Sequence, residues 1–169
     1  KEDNESLKTK LAEKDNQLAE KEAKLEEVTK NYLNLKDVEI PRIQNELAEK
    51  TSQLESANGE ISTLSTQKVS LLNAVTEIDN KINETEDAVE IENLELRKAA
   101  VLNQIDTLNS EISSLEDEKQ KLQTEVDNLK VEKQNLQTEI ANLQTQKTQL
   151  ENEIASLNTQ LSNLRTAIS

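Results

Sequence analysis

The sequence predicts an all-α protein, an elongated parallel coiled coil that is most simply two-stranded, and three observations predict it. Apolar residues make up 33% of the 169 and recur at spacings of three and four, the period of a supercoiled helical stripe. One Gly, one Pro and one Tyr, with no Cys, His, Met, Phe or Trp, leave few turn residues and none of the bulky anchors that fill a globular interior. The 34 acidic and 20 basic side chains, formal net charge −14, are interspersed with one another and, apart from lysines at some a and d positions, lie outside the stripe, as on a solvated helix face.

The first element covers residues 1–38 and carries the weakest stripe. Leu11, Leu18, Leu25 and Tyr32 take position a, with Leu7, Lys14, Lys21, Val28 and Leu35 at d. The tetrapeptide Leu-Ala-Glu-Lys begins at Leu11, Leu18 and Leu47, so this end is built by short duplications. Tyr32 at an a position reads as seam packing.

Between Leu35 and Ile40 the count runs one residue too long, and Pro41 follows. Proline removes a helix hydrogen bond and crowds the preceding turn, so a kink or short break is expected here. A hairpin turn is the alternative, although Asp37-Val38-Glu39-Ile40-Pro41 offers no Gly or Asn to reverse the chain.

The second element, residues 39–90, has Ile40, Leu47, Leu54, Ile61, Lys68, Val75, Ile82 and Val89 at a, and Ile43, Lys50, Ala57, Leu64, Leu71, Ile78 and Thr85 at d. Gly59 lies in unbroken phase; it weakens the helix by about 1 kcal/mol without ending it. From Val89 to Ile91 the phase moves by two, and Leu96 and Ala99 extend the old series while Leu94 and Val101 begin the new one. No breaker is present, so the expectation over residues 85–100 is local unwinding. The acidic cluster Glu84, Glu86, Asp87, Glu90, Glu92 and Glu95 weakens pairing by repulsion and makes this zone flexible.

The third element, residues 91–169, is the strongest. Position a holds Ile91, Lys98, Ile105, Ile112, Lys119, Val126, Lys133, Ile140, Lys147, Ile154, Leu161 and Ile168. Position d holds Leu94, Val101, Leu108, Leu115, Leu122, Leu129, Leu136, Leu143, Leu150, Leu157 and Leu164. From Ile105 to Leu164 these apolar residues are the expected oligomer seam. β-Branched residues at a with Leu at d favour two parallel strands, and Lys at a is cheapest in a dimer, where its ammonium reaches water. Glu111, Glu118, Glu125, Glu132, Glu139 and Glu153 occupy g. An antiparallel homodimer would set these against each other, so parallel alignment is expected. Lys98, Lys119, Lys133 and Lys147 are the expected register-setting residues, since polar a positions specify alignment at a cost in stability.

The composition excludes most chemistry. Without His or Cys the chain lacks the usual transition-metal ligands, the commonest general base and the thiol nucleophile, so neither a catalytic residue, a metal site nor a cofactor site is expected. A single Gly cannot write a phosphate-cradling loop, and Ser56-Ala57-Asn58-Gly59-Glu60 is no calcium loop. Interspersed charge of acidic sign argues against nucleic acid. No apolar run approaches the roughly 20 residues of a membrane span. The absent initiator Met points to a segment of a longer protein, and compartment stays open between cell surface and cytoplasm.

The a/d pattern resembles the leucine zipper. The whole chain resembles the rod segments of bacterial coiled-coil proteins, both the intermediate-filament-like cytoskeletal kind and the streptococcal M-like surface kind, with Leu11-Ala-Glu-Lys-Asp-Asn-Gln-Leu-Ala-Glu-Lys21 nearest the latter. The resemblance implies a structural role without an active site. Three readings follow: a parallel homodimer acting as spacer or filament-building rod; a surface stalk that presents or recruits other proteins; and an antiparallel arm of a chromosome-organising-type ATPase. The g column and the want of a partner helix in the chain weigh against the third.

Overall fold

The computed structural model describes residues 3–168, and among them only Asp3 and Thr85–Asp87 lie outside a helix. Helix α1 runs Asn4–Asn34, a π-helical turn spans Leu35–Glu39, α2 runs Ile40–Glu84 and α3 runs Ala88–Ile168. The Asp3 carboxylate starts α1 by accepting the Ser6 N–H at 2.8 Å, which satisfies one of the donors left open at a helix start. Thr residues are tolerated within the helices because their hydroxyls donate to the carbonyl four residues back, as Thr124 does to Gln120 and Thr138 to Gln134.

The interruption expected at Pro41 is not a break. The extra residue is absorbed by the π-turn, closed by the Ile40 N–H donating to the Leu35 carbonyl. A single inserted residue widens one turn and leaves the helices on either side intact. The widened turn also makes room for the pyrrolidine ring of Pro41, which would otherwise crowd the carbonyl four residues back. Arg42 fastens the far side through its guanidinium, 2.9 Å from Glu39 Oε2.

The unwinding expected over 85–100 is also replaced, here by a tight interruption. The Thr85 hydroxyl accepts the Asp87 N–H at 3.3 Å and donates to Glu90 Oε2 at 3.1 Å. The Asp87 carboxylate accepts the Val89 N–H at 3.0 Å, and the Asp87 carbonyl accepts from Ile91. Asp87 is thus the N-cap of α3, and Glu90 lies in the first turn, where its negative charge meets the positive end of the helix dipole. The cluster read as mutual repulsion is in part a capping device.

Two compact units result: one of Lys1–Asn45 with Lys130–Ser169, the other of Glu46–Leu129. In the second, α2 and α3 are joined by the capped turn and lie antiparallel, since Lys50 pairs with Glu125 and Asp79 with Lys98. In the first, α1 and the start of α2 lie antiparallel to the end of α3, through Asp15 with Arg165, Lys21 with Glu153 and Arg42 with Glu132. The pairing made within the chain is therefore antiparallel, whereas the parallel arrangement expected above is between two chains. The g-column argument considered α3 against a copy of itself. Against α1 and α2, the carboxylates Glu125, Glu132 and Glu153 meet cations instead.

Candidate functional site: the helix–helix seam

Every buried apolar residue falls at an a or d position. On α1 and α2 these are Val28, Ile43, Ala57 and Ile78; on α3 they are Leu94, Ile105, Leu122, Val126, Leu150, Leu157 and Leu161. Of the other expected seam residues, Leu108, Ile112, Leu115, Leu129, Leu136, Ile140, Leu143, Ile154 and Leu164 are half-buried. Two helices alone leave the flanks of such a stripe open to water, which explains the intermediate exposure.

The ion pairs fix the register. In the second unit Leu54 comes level with Leu122, Ala57 with Lys119, Ile61 with Leu115 and Ile78 with Lys98. In the first, Leu18 comes level with Leu157, Val28 with Lys147 and Ile43 with Lys133. Upstream of the π-turn the count on α1 is offset by one, so both stripes of α1 and α2 face the single unbroken stripe of α3. That is what the inserted residue achieves.

The four a-position lysines of α3 occupy distinctive places in this register. The residues level with Lys147, Lys133, Lys119 and Lys98 are Val28, Ile43, Ala57 and Ile78, which are also the buried residues of α1 and α2, exposed 3%, 0%, 5% and 6%. Conversely Leu161 and Val126, 1% and 3% exposed, come level with Lys14 and Lys50. A Lys stem laid across the seam covers the apolar residue opposite while its ammonium reaches outward. Lys98, Lys133 and Lys147 are half-buried, Lys119 is exposed, and Pro41 is half-buried beside the π-turn.

Two of these four ammonium groups find specific partners. Lys98 Nζ lies 2.7 Å from Asp79, and Lys147 Nζ lies 5.8 Å from the centre of the Tyr32 ring, with Lys36 Nζ at the same distance. Both cations are within reach of the ring quadrupole. Lys50 Nζ meets Glu125 Oε2 at 2.9 Å and Lys21 Nζ meets Glu153 Oε2 at 2.8 Å, in each case on an oxygen shut off from solvent. The hydrogen bond from Lys50 holds the Glu125 carboxyl below its ordinary value, and the same bond with the nearby negative charge raises Lys50. The roles of Lys21, Arg42 and Lys50 as partners were hidden while α3 was matched to itself; reading the chain antiparallel exposes them.

Among the described residues no group of three or more Asp or Glu is gathered as metal ligands would be, and no helix is long and apolar enough to cross a membrane. A scan against protein-family models finds no matching family, and a search of curated proteins finds no significant relative.

Proposed function

We propose that this chain is a structural coiled-coil element, a spacer or oligomerisation module without catalysis, and that its two strands come from one polypeptide. The observation that carries the reading is the interlocking of the seam: apolar residues lie opposite the aliphatic stems of lysines from the other helix, and the g-column carboxylates meet Lys21, Arg42 and Lys50. Burying each such aliphatic contributes about 1.5–3 kcal/mol as an upper range. The antiparallel sense supports the intramolecular arm of a larger protein over the parallel filament-building homodimer. A surface stalk remains compatible, because such a stalk needs only a stiff helical body and free outer faces.

The lysines act as register devices in this reading. A one-heptad slip sets Lys50 against Lys119 or Lys133, and in one direction also Lys21 against Lys147. Like charges facing across a seam disfavour the slipped states.

Cysteine cross-linking decides strand origin. A Leu54→Cys, Leu122→Cys double variant is expected to oxidise within one chain, leaving the mass by sedimentation unchanged, with a melting temperature independent of concentration. Same-position disulfides of Leu129→Cys in a two-chain species, with melting that rises with concentration, would instead establish the parallel homodimer.

A further inference from the structure

The seam of the second unit is open along one flank. A groove of about 910 Å³ runs beside Ser56–Leu64 of α2 and Ser110–Leu115 of α3, and a further 510 Å³ adjoins it at Gln67–Leu71 and Gln104–Leu108. Its floor is formed by Leu64, Leu71, Leu108 and Leu115, d residues that remain half-buried. The walls are small: Ser56, Gly59, Ser110 and Ser114. A Cβ placed on Gly59 would meet nothing within 4 Å, so the wall is low because the side chains are short and not because neighbours crowd it.

The charge along this groove has one sign. Glu60 and Glu111 stand on its walls, Glu118 follows at the adjoining end, and no Lys or Arg lines any part of it. Elsewhere Glu125, Glu132 and Glu153 are answered by cations of the facing helix. Here two exposed carboxylates from opposite helices flank an apolar floor, an arrangement that favours an incoming cationic partner and disfavours a second copy of a chain with net charge −14.

We propose that this groove docks an amphipathic helix of another protein, one whose apolar stripe seats on the four leucines while flanking Lys or Arg residues meet Glu60 and Glu111. Low walls permit the close helix approach that such helix-in-groove recognition needs. The proposal rests on the intramolecular pairing argued above, since the groove exists only between α2 and α3.

The test uses the full chain and a synthetic peptide of about four heptads, long enough to hold a helix, with Leu at a and d and Lys at e and g. Calorimetry is expected to show saturable one-to-one binding. Glu60→Lys with Glu111→Lys should weaken it by about tenfold or more, as should filling the groove with Gly59→Leu and Ser114→Leu. The equally charge-altered Glu22→Lys, Glu151→Lys variant should bind as the parent does, and a peptide with Ser in place of Leu should not bind. Equal binding by the groove variants, equal binding by the Ser peptide, or no binding at all would overturn the proposal. So would self-association of the chain that the groove variants abolish, which would assign the groove to a second copy. If the Leu54→Cys, Leu122→Cys cross-link forms and the peptide fails, the docking proposal alone falls; if the cross-link fails, the pairing itself falls and takes the groove with it.

Discussion

Ile43 and the Lys50–Glu125 pair illustrate how single residues hold this seam. Ile43 is fully covered. Ile43→Ala is expected to cost about 2–5 kcal/mol in urea denaturation, the range for a large-to-small change at a packed site. The Lys50–Glu125 pair gives a pH signature instead. A lowered carboxyl contributes stability above its unfolded value near 4.5, lost as pH falls through the depressed folded value. A raised Lys contributes below 10.5, lost as pH rises through the elevated one. Lys50→Gln should therefore lower the melting temperature between these limits and converge with the parent in acid, while NMR titration of Glu125 returns to the ordinary midpoint. That burial falls at a and d positions was legible in the sequence, because all buried residues among those described obey the heptad count. Which lysine covers which neighbour was not, because that depends on strand direction and no residue type at a or d encodes it alone.

The two junctions make the same point for elements. A one-residue surplus before Pro41 was visible in the numbering, but a surplus is equally consistent with a kink and with a π-turn; the choice falls to the unbroken α3 stripe, which rewards keeping both flanking segments facing it. Deleting Asp37 together with Pro41→Ala should merge the two phases and leave the melting temperature equal or higher, whereas deleting Gln53 in unbroken phase should lower it. At the other junction the signal was present and misread. Thr85, Asp87 and Glu90 have the spacing of a helix start, yet in a chain this acidic they also look like simple repulsion. Asp87→Ala is expected to destabilise by about 0.5–2 kcal/mol, the worth of an N-cap, and amide exchange should show the loss concentrated at the start of α3.

For the molecule as a whole, the all-helical class follows from composition and period, while the partner of each stripe does not. A strong self-compatible zipper in α3 hides the fact that α1 and α2 carry the cations its glutamates need. The interleaved lysines yield a prediction at this scale: Lys50→Leu should raise stability yet admit slipped registers. Cross-links from Leu54→Cys should then form with Leu115→Cys or Leu129→Cys, where the parent sequence yields them with Leu122→Cys alone. Greater strength with poorer alignment is the expected exchange when a polar seam residue is removed.

Arg165 reaches Asp15 at 3.5 Å, so the N-terminal half of α1 and the last turns of α3 lie together in the first unit. A host could accept residues 3–168 as a graft at a single surface loop, because the antiparallel course of the helices returns the chain toward the end from which it set out. Fusing the chain into such a loop of an unrelated carrier should leave the carrier's fold and melting intact, as a tab sewn into one seam leaves the cloth around it flat.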